Sequence, residues 1–152
     1  MKGLRACLGL VLWGLVCGCE LSNTEGTRTE IQGLVKQFAE AAQKDVTTMI
    51  AMYDQSATTL SIGNGQIQRG IEAIRKSADE SLVGKQDALK IELGSIEVFP
   101  LGGGYALSVT PFSVTENASQ RFSIQRKGIS SLVWKKSAEG WKVIHEHESL
   151  HP

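Results

Sequence analysis

The hydrophobic pattern of this chain changes period at about Leu89, and that change constrains the fold more than any other feature. Before it, apolar residues recur every three or four positions; after it, every second position. The first spacing belongs to helices with one buried stripe, the second to strands with one buried face. Ile31, Leu34, Val35, Phe38, Ala41 and Ala42 predict an amphipathic helix over about residues 29–44. Asp45 is placed to cap a shorter helix over residues 46–55, with Met49, Ile50 and Tyr53 on its apolar face. Residues 58–62 (TTLSI) read as a strand, and the Gly-Asn-Gly that follows carries the Asn-Gly pair favoured in tight hairpins. A third helix is expected after Gly70, with Ile71, Ile74, Ala78 and Leu82 on one stripe, ending at the GKQD break over residues 84–87.

Beyond Leu89 the parity of the apolar residues is informative. A strand keeps one face to the core unless an extra residue is inserted. Ile91 and Leu93 are odd while Ile96 and Val98 are even, which predicts a bulge near Gly94-Ser95. Tyr105, Leu107 and Val109 are odd, Phe112 and Val114 even, so a second break is expected at Pro111. Phe122 and Ile124 give way to Ile129 and Val133, which predicts a third at Lys127-Gly128. Three long strands, each bent by a bulge, make a strongly curved antiparallel sheet. Three helices before it give an α+β domain in which the helices cover the hollow side, a cone with an interior pocket. The Gly-Gly-Gly at 102–104 is a hairpin loop; no helix follows it, so it is no phosphate cradle, and no cofactor is expected.

The first residues stand apart from this domain. Lys2 and Arg5 precede an uncharged run over residues 6–16, too short to span a bilayer and of the length of a signal-peptide core. The LVCGC that follows resembles the lipobox of bacterial lipoproteins, which implies lipidation of Cys19 as the first mature residue. The expected division is a lipoprotein signal peptide at 1–18, a flexible polar tether at 19–29 and the folded domain at 30–152. With Cys7 and Cys17 removed and Cys19 carrying lipid, no thiol remains for a disulfide or a metal. Lys and Arg number 16, as do Asp and Glu, so no basic field attracts nucleic acid. The implied location is the cell envelope, lipid-anchored to the outer or inner membrane facing the periplasm, or to the cell surface in a bacterium with one membrane.

All three histidines, His145, His147 and His151, lie in the last strand. Plain alternation puts Trp141, Val143, His145, His147 and Ser149 on one face and Lys142, Ile144, Glu146 and Glu148 on the other. The acids then face away from the imidazoles. A zinc site would need a third ligand such as His151 folding back, and no metal site is assigned. Lining of the pocket is the reading taken for His145 and His147, with general-base catalysis by either as the alternative.

The run from Ile31 to Ser149, with FAEAAQKD, LSIGNGQIQRGIEAIR, GGGYALSV, GISSLVWKK and GWKVIHEHES in that order, resembles the nuclear transport factor 2-like (NTF2-like) superfamily, SnoaL-like and DUF4440-type domains in particular. The resemblance implies a cone-shaped α+β fold, a hydrophobic cavity and a homodimer formed through the sheet. Ketosteroid isomerases of this superfamily carry a general-base Asp where this chain has Ser61, and an oxyanion-donating Tyr where it has Gln37 or Phe38. The related association domain of calcium/calmodulin-dependent protein kinase II has a cavity Arg where this chain has Leu132. What the resemblance leaves as pocket lining is Tyr53, Leu132, Trp134, His145, His147 and Ser149. The functional expectation is an envelope lipoprotein that binds a small apolar ligand without catalysis. The alternatives are an isomerase, dehydratase or hydrolase using His145 or His147, or a dimeric assembly domain.

Overall fold

The computed structural model describes residues 17–85, 88–119 and 122–151; the run at 6–16 read as a signal-peptide core lies outside them. Helix α1 (Cys17–Lys44) carries Ile31, Val35, Phe38, Ala41 and Ala42 on the buried stripe that the spacing predicts. It starts far upstream of that stripe and passes through the residues expected to form a flexible tether. Polar side chains dock this extension: Arg28 pairs with Glu25 at 3.5 Å and donates from Nε to the Val98 carbonyl at 3.4 Å. Apolar periodicity gives no signal for a helix held in this way. Among the described residues no helix is long and apolar enough to cross a membrane.

Asp45 ends α1 and caps α2 (Val46–Ala51), its carboxylate accepting from the Thr47 N–H at 3.0 Å. Strands β1 (Leu60–Gly63) and β2 (Gln66–Arg69) form the expected hairpin, with Asn64 at φ 51° and Gly65 at φ 74°. Positive φ at both central residues is the type I′ turn that suits the strand twist. Helix α3 (Ile71–Leu82) buries Ile71, Ile74 and Ala78. Then come β3 (Leu89–Leu93), β4 (Glu97–Gly102), β5 (Tyr105–Ser119), β6 (Phe122–Ser137) and β7 (Gly140–His151).

The seven strands form one sheet in the order β2-β1-β7-β6-β5-β3, with β4 also on β5. It is mixed rather than wholly antiparallel, because β1 runs parallel to β7. The three helices pack on its concave face. The parity change between Leu93 and Val98 is present: β3 ends, Gly94 donates to the Pro111 carbonyl at 2.7 Å, and β4 resumes on the same neighbour.

The other two expected breaks are absent. The β5–β6 ladder runs without a shift from Tyr105 to Asn117, through both Pro111 and Gly128. Ala106, Ser108 and Thr110 are buried on the concave face, while Tyr105, Leu107 and Val109 lie on the convex one. Ile129 and Val133 are likewise convex, beside buried Leu132 and Trp134 on the concave side. Apolar residues populate both faces here, so their parity alone does not say which face is the core. Gly128 answers a different need: a Cβ there would stand 3.0 Å from the Phe112 ring and overlap the Ser149 carbonyl oxygen.

The ladders of the long strands shift where no break was expected, once at Asn117/Ser119 near the end of β5–β6 and once in β6–β7. Val133 pairs with His145 and Trp134 with Val143, which leaves Ile144 of β7 as the extra residue. Trp141 and Val143 before it are buried, and so is Glu146 after it. The inserted residue exchanges the faces of everything from His145 to His151.

Candidate functional site

Between the concave face and the helices lies a cavity of about 490 Å³. Apolar side chains line part of its wall, Val35 and Phe38 of α1, Met49 of α2, Ile74 of α3, Ile91 of β3 and Phe112 of β5, and polar ones such as Gln68, Ser77, Lys85 and Arg126 line the rest. Its floor is polar, because the bulge at Ile144 turns Glu146 and Glu148 inward. Of the residues expected to line a pocket, Tyr53 and Leu132 face the cavity. Trp134 is fully buried beside it, its indole N–H donating to the Ser108 hydroxyl at 2.9 Å. His145, His147 and Ser149 are corrected to the convex face, paired with Val133, Ser131 and Ile129. His147, Ser149 and His151 are exposed and His145 half-buried. Among the described residues no group of three or more His, Cys, Asp or Glu is placed to hold a metal ion.

Glu146 is the centre of the floor. Its residue is 8% exposed, and its Oε2 accepts from the Tyr53 hydroxyl at 2.5 Å and from the Ser61 hydroxyl at 2.8 Å. Each partner has a structural origin. Tyr53 follows α2 and forms an isolated parallel bridge to Val143, and the Phe38 ring meets its ring edge-on with centroids 5.5 Å apart. Ser61 faces Glu146 directly across the parallel β1–β7 pair. Ser61 thus supplies a hydroxyl that supports a carboxylate from the neighbouring strand. Leu132, opposite Glu146 in the β6–β7 ladder, brings no charge to the floor.

Burial raises the Glu146 carboxyl above its ordinary range, an effect opposed by the bonds from Tyr53 and Ser61 and by the charge of His145 behind it. Burial and the Glu146 charge push Glu148 up to about 8. The Tyr53 phenol is driven well above its usual range by burial and then by Glu146, so it stays a donor. The cations on the cavity wall are engaged elsewhere: Arg126 lies 3.5 Å and Lys85 3.9 Å from Glu116. Among the described residues neither floor carboxyl has a Lys or Arg partner. Thr110 is 2% exposed and lines the same cavity, and its hydroxyl has no hydrogen-bond partner.

Solved structures of the same shape share little sequence with this chain. An NTF2-like protein with a cystatin-like fold from Novosphingobium aromaticivorans aligns with a TM-score of 0.73 at 16% identity, covering 90% of this chain and 92% of that one. A DUF3225 protein of unknown function from Pectobacterium atrosepticum gives 0.68 at 21%, covering 86% and 94%. The association domain of the C. elegans kinase CaMKII gives 0.69 at 18%, covering 84% and 98%. The fold class is thus NTF2-like, with a cavity in the hollow of the sheet. Within that class the chain belongs to the AtzH-like family, whose model matches residues 22–152. No curated protein matches the chain.

Proposed function

We propose that this is an envelope lipoprotein whose domain holds a small, mostly apolar molecule in the hollow of the sheet. The observation that supports this most is the cavity itself: about 490 Å³, with an apolar stretch of wall from α1, α2, α3, β3 and β5 and convergent polar groups on its floor. That size and lining suit a ligand of modest size, which the walls desolvate and the floor orients. The anchor in this reading is a lipid on Cys19. The α1 helix then acts as a spacer, and the residues from 19 to 30 extend about 17 Å at helical rise. A second copy docks on the convex face, where Phe99, Leu101, Tyr105 and Ile129 are exposed and Leu107, Val109 and Val133 lie among them.

Native mass spectrometry of detergent-extracted protein tests these parts together. The expected spectrum shows a lipid mass that Cys19→Ser removes, a retained small molecule, and a dimer. An unmodified Cys19, an empty cavity in every preparation, or a strict monomer would each overturn the corresponding part.

A second reading, acid/base catalysis, rests on two carboxyls, Glu146 and Glu148, that share the cavity floor, where burial and the Glu146 charge push Glu148 up to about 8, close to the working range of a proton-transfer group. In that case Glu148→Gln lowers turnover by about a hundredfold or more. The double variant His145→Gln, His147→Gln, on the convex face, leaves turnover unchanged. The reverse pattern on any substrate found would return the chemistry to the histidines.

A further inference from the structure

The cavity floor is built for a particular charge. We propose that the ligand is a small organic amine, whose ammonium group sits between Glu146 and Glu148 and whose far end reaches Thr110. This deepens the small-molecule reading above and rests on it. Glu146 and Glu148 point into one apolar chamber from alternate positions of β7. Glu146 is supported by neutral hydroxyls alone, Tyr53 and Ser61. The cavity-lining cations Lys85 and Arg126 are drawn to Glu116. His145 contributes only from behind the sheet. Two carboxyls in a low-dielectric chamber repel each other's ionisation, and a cation placed between them removes that penalty. An anionic ligand would meet the same field with the opposite sign.

Thr110 points to a ligand independently of the carboxyls. A buried hydroxyl without a partner costs free energy that a ligand's polar group would recover. Thr110 pairs with Ser130, and Ser130 with Glu148, so these three lie in one row across the floor. Two strand spacings put the ends of that row about 10 Å apart. An amine with an aromatic or aliphatic body and a hydroxyl at its far end fits this row, with its body against Phe38 and Phe112.

Calorimetric titration of the full chain with phenethylamine, phenethyl alcohol and tyramine tests the assignment. At neutral pH the amine is expected to bind about tenfold or more tighter than the alcohol of the same skeleton. It should also release a proton as Glu148 ionises, read from the dependence of the heat on the buffer. Glu148→Gln, which replaces a largely protonated carboxyl by a neutral group of the same shape and so folds, brings the amine down to the level of the alcohol and leaves the alcohol unchanged. Tyramine gains over phenethylamine in the native chain and loses that gain in Thr110→Val. Equal affinity of amine and alcohol, or a preference that survives both Glu146→Gln and Glu148→Gln, overturns the amine assignment and leaves the cavity reading standing. No binding by any of the three, together with an empty cavity in natively extracted protein, overturns both.

Discussion

Gly128→Ala is expected to destabilise the protein by about 3 kcal/mol, at the upper end of what overpacking costs. The added methyl group would meet the Ser149 carbonyl oxygen and the Phe112 ring, the latter at 3.0 Å. A flexible side chain moves aside cheaply, whereas a carbonyl oxygen moves only with its strand. Relief therefore requires β7 to shift along the stretch that places Glu148. For a domain of this size the loss corresponds to a melting temperature lower by roughly 6–12 °C. Gly33→Ala is the matched control. Gly33 lies within α1, and a Cβ there meets nothing within 4 Å. Alanine should stabilise that helix by roughly 0.5–1 kcal/mol. Thermal melts of the two variants decide the matter: equal behaviour would show that β6 and β7 do not approach as described.

The second large effect is on the pH dependence of stability. Glu148 has a folded-state value of about 8 against an ordinary 4.5, and Glu146 is raised in the same direction. Between those values the folded chain holds a proton that the unfolded chain has released. Raising the pH therefore favours unfolding. The contribution of Glu148 is fully present below about pH 4.5, declines as pH rises, and is gone above about 8. Each pH unit of that window carries ~1.4 kcal/mol, and solvent in the cavity screens part of it, so a fall of a few kcal/mol at most is expected. Glu40, Asp45 and Glu92 are lowered instead, so their contributions are lost only below their ordinary range, outside this window. Urea unfolding from pH 5 to 8 should show stability falling in the native chain and a much flatter profile in Glu148→Gln. Stability that rises across this window would mean that the floor is already ionised and paired.

The elements themselves were legible because each rests on local chemistry. The α1 stripe, the Asp45 cap, the Asn64-Gly65 turn and the break after Leu93 all stand where the spacing or the residue type puts them. Tyr53 and Leu132 face the cavity. The start of α1 was not legible, because polar contacts rather than an apolar stripe hold it. Nor were the faces of β5 and β6. There the convex side carries Leu107, Val109 and Val133, while the core side mixes small Ala106, Ser108 and Gly128 with large Leu132 and Trp134, so hydrophobicity does not tell the two faces apart.

The floor residues escaped for one reason. Plain alternation from Trp141 puts the histidines inward and the acids outward, and the sequence hints against it are apolar Ile144 and Leu150, at even parity in the same strand. Thus the sequence alone determined the order of helices and strands, the turn chemistry and the class of fold, because helix and strand periods and glycine conformations are local properties. Only the tertiary structure decided which groups line the cavity. The register of β7 against β6 and β1 is a long-range pairing, and the extra residue at Ile144 is visible only against those partners. That one residue exchanges His145, His147 and Ser149 for Glu146 and Glu148, and with them the chemistry that the cavity offers.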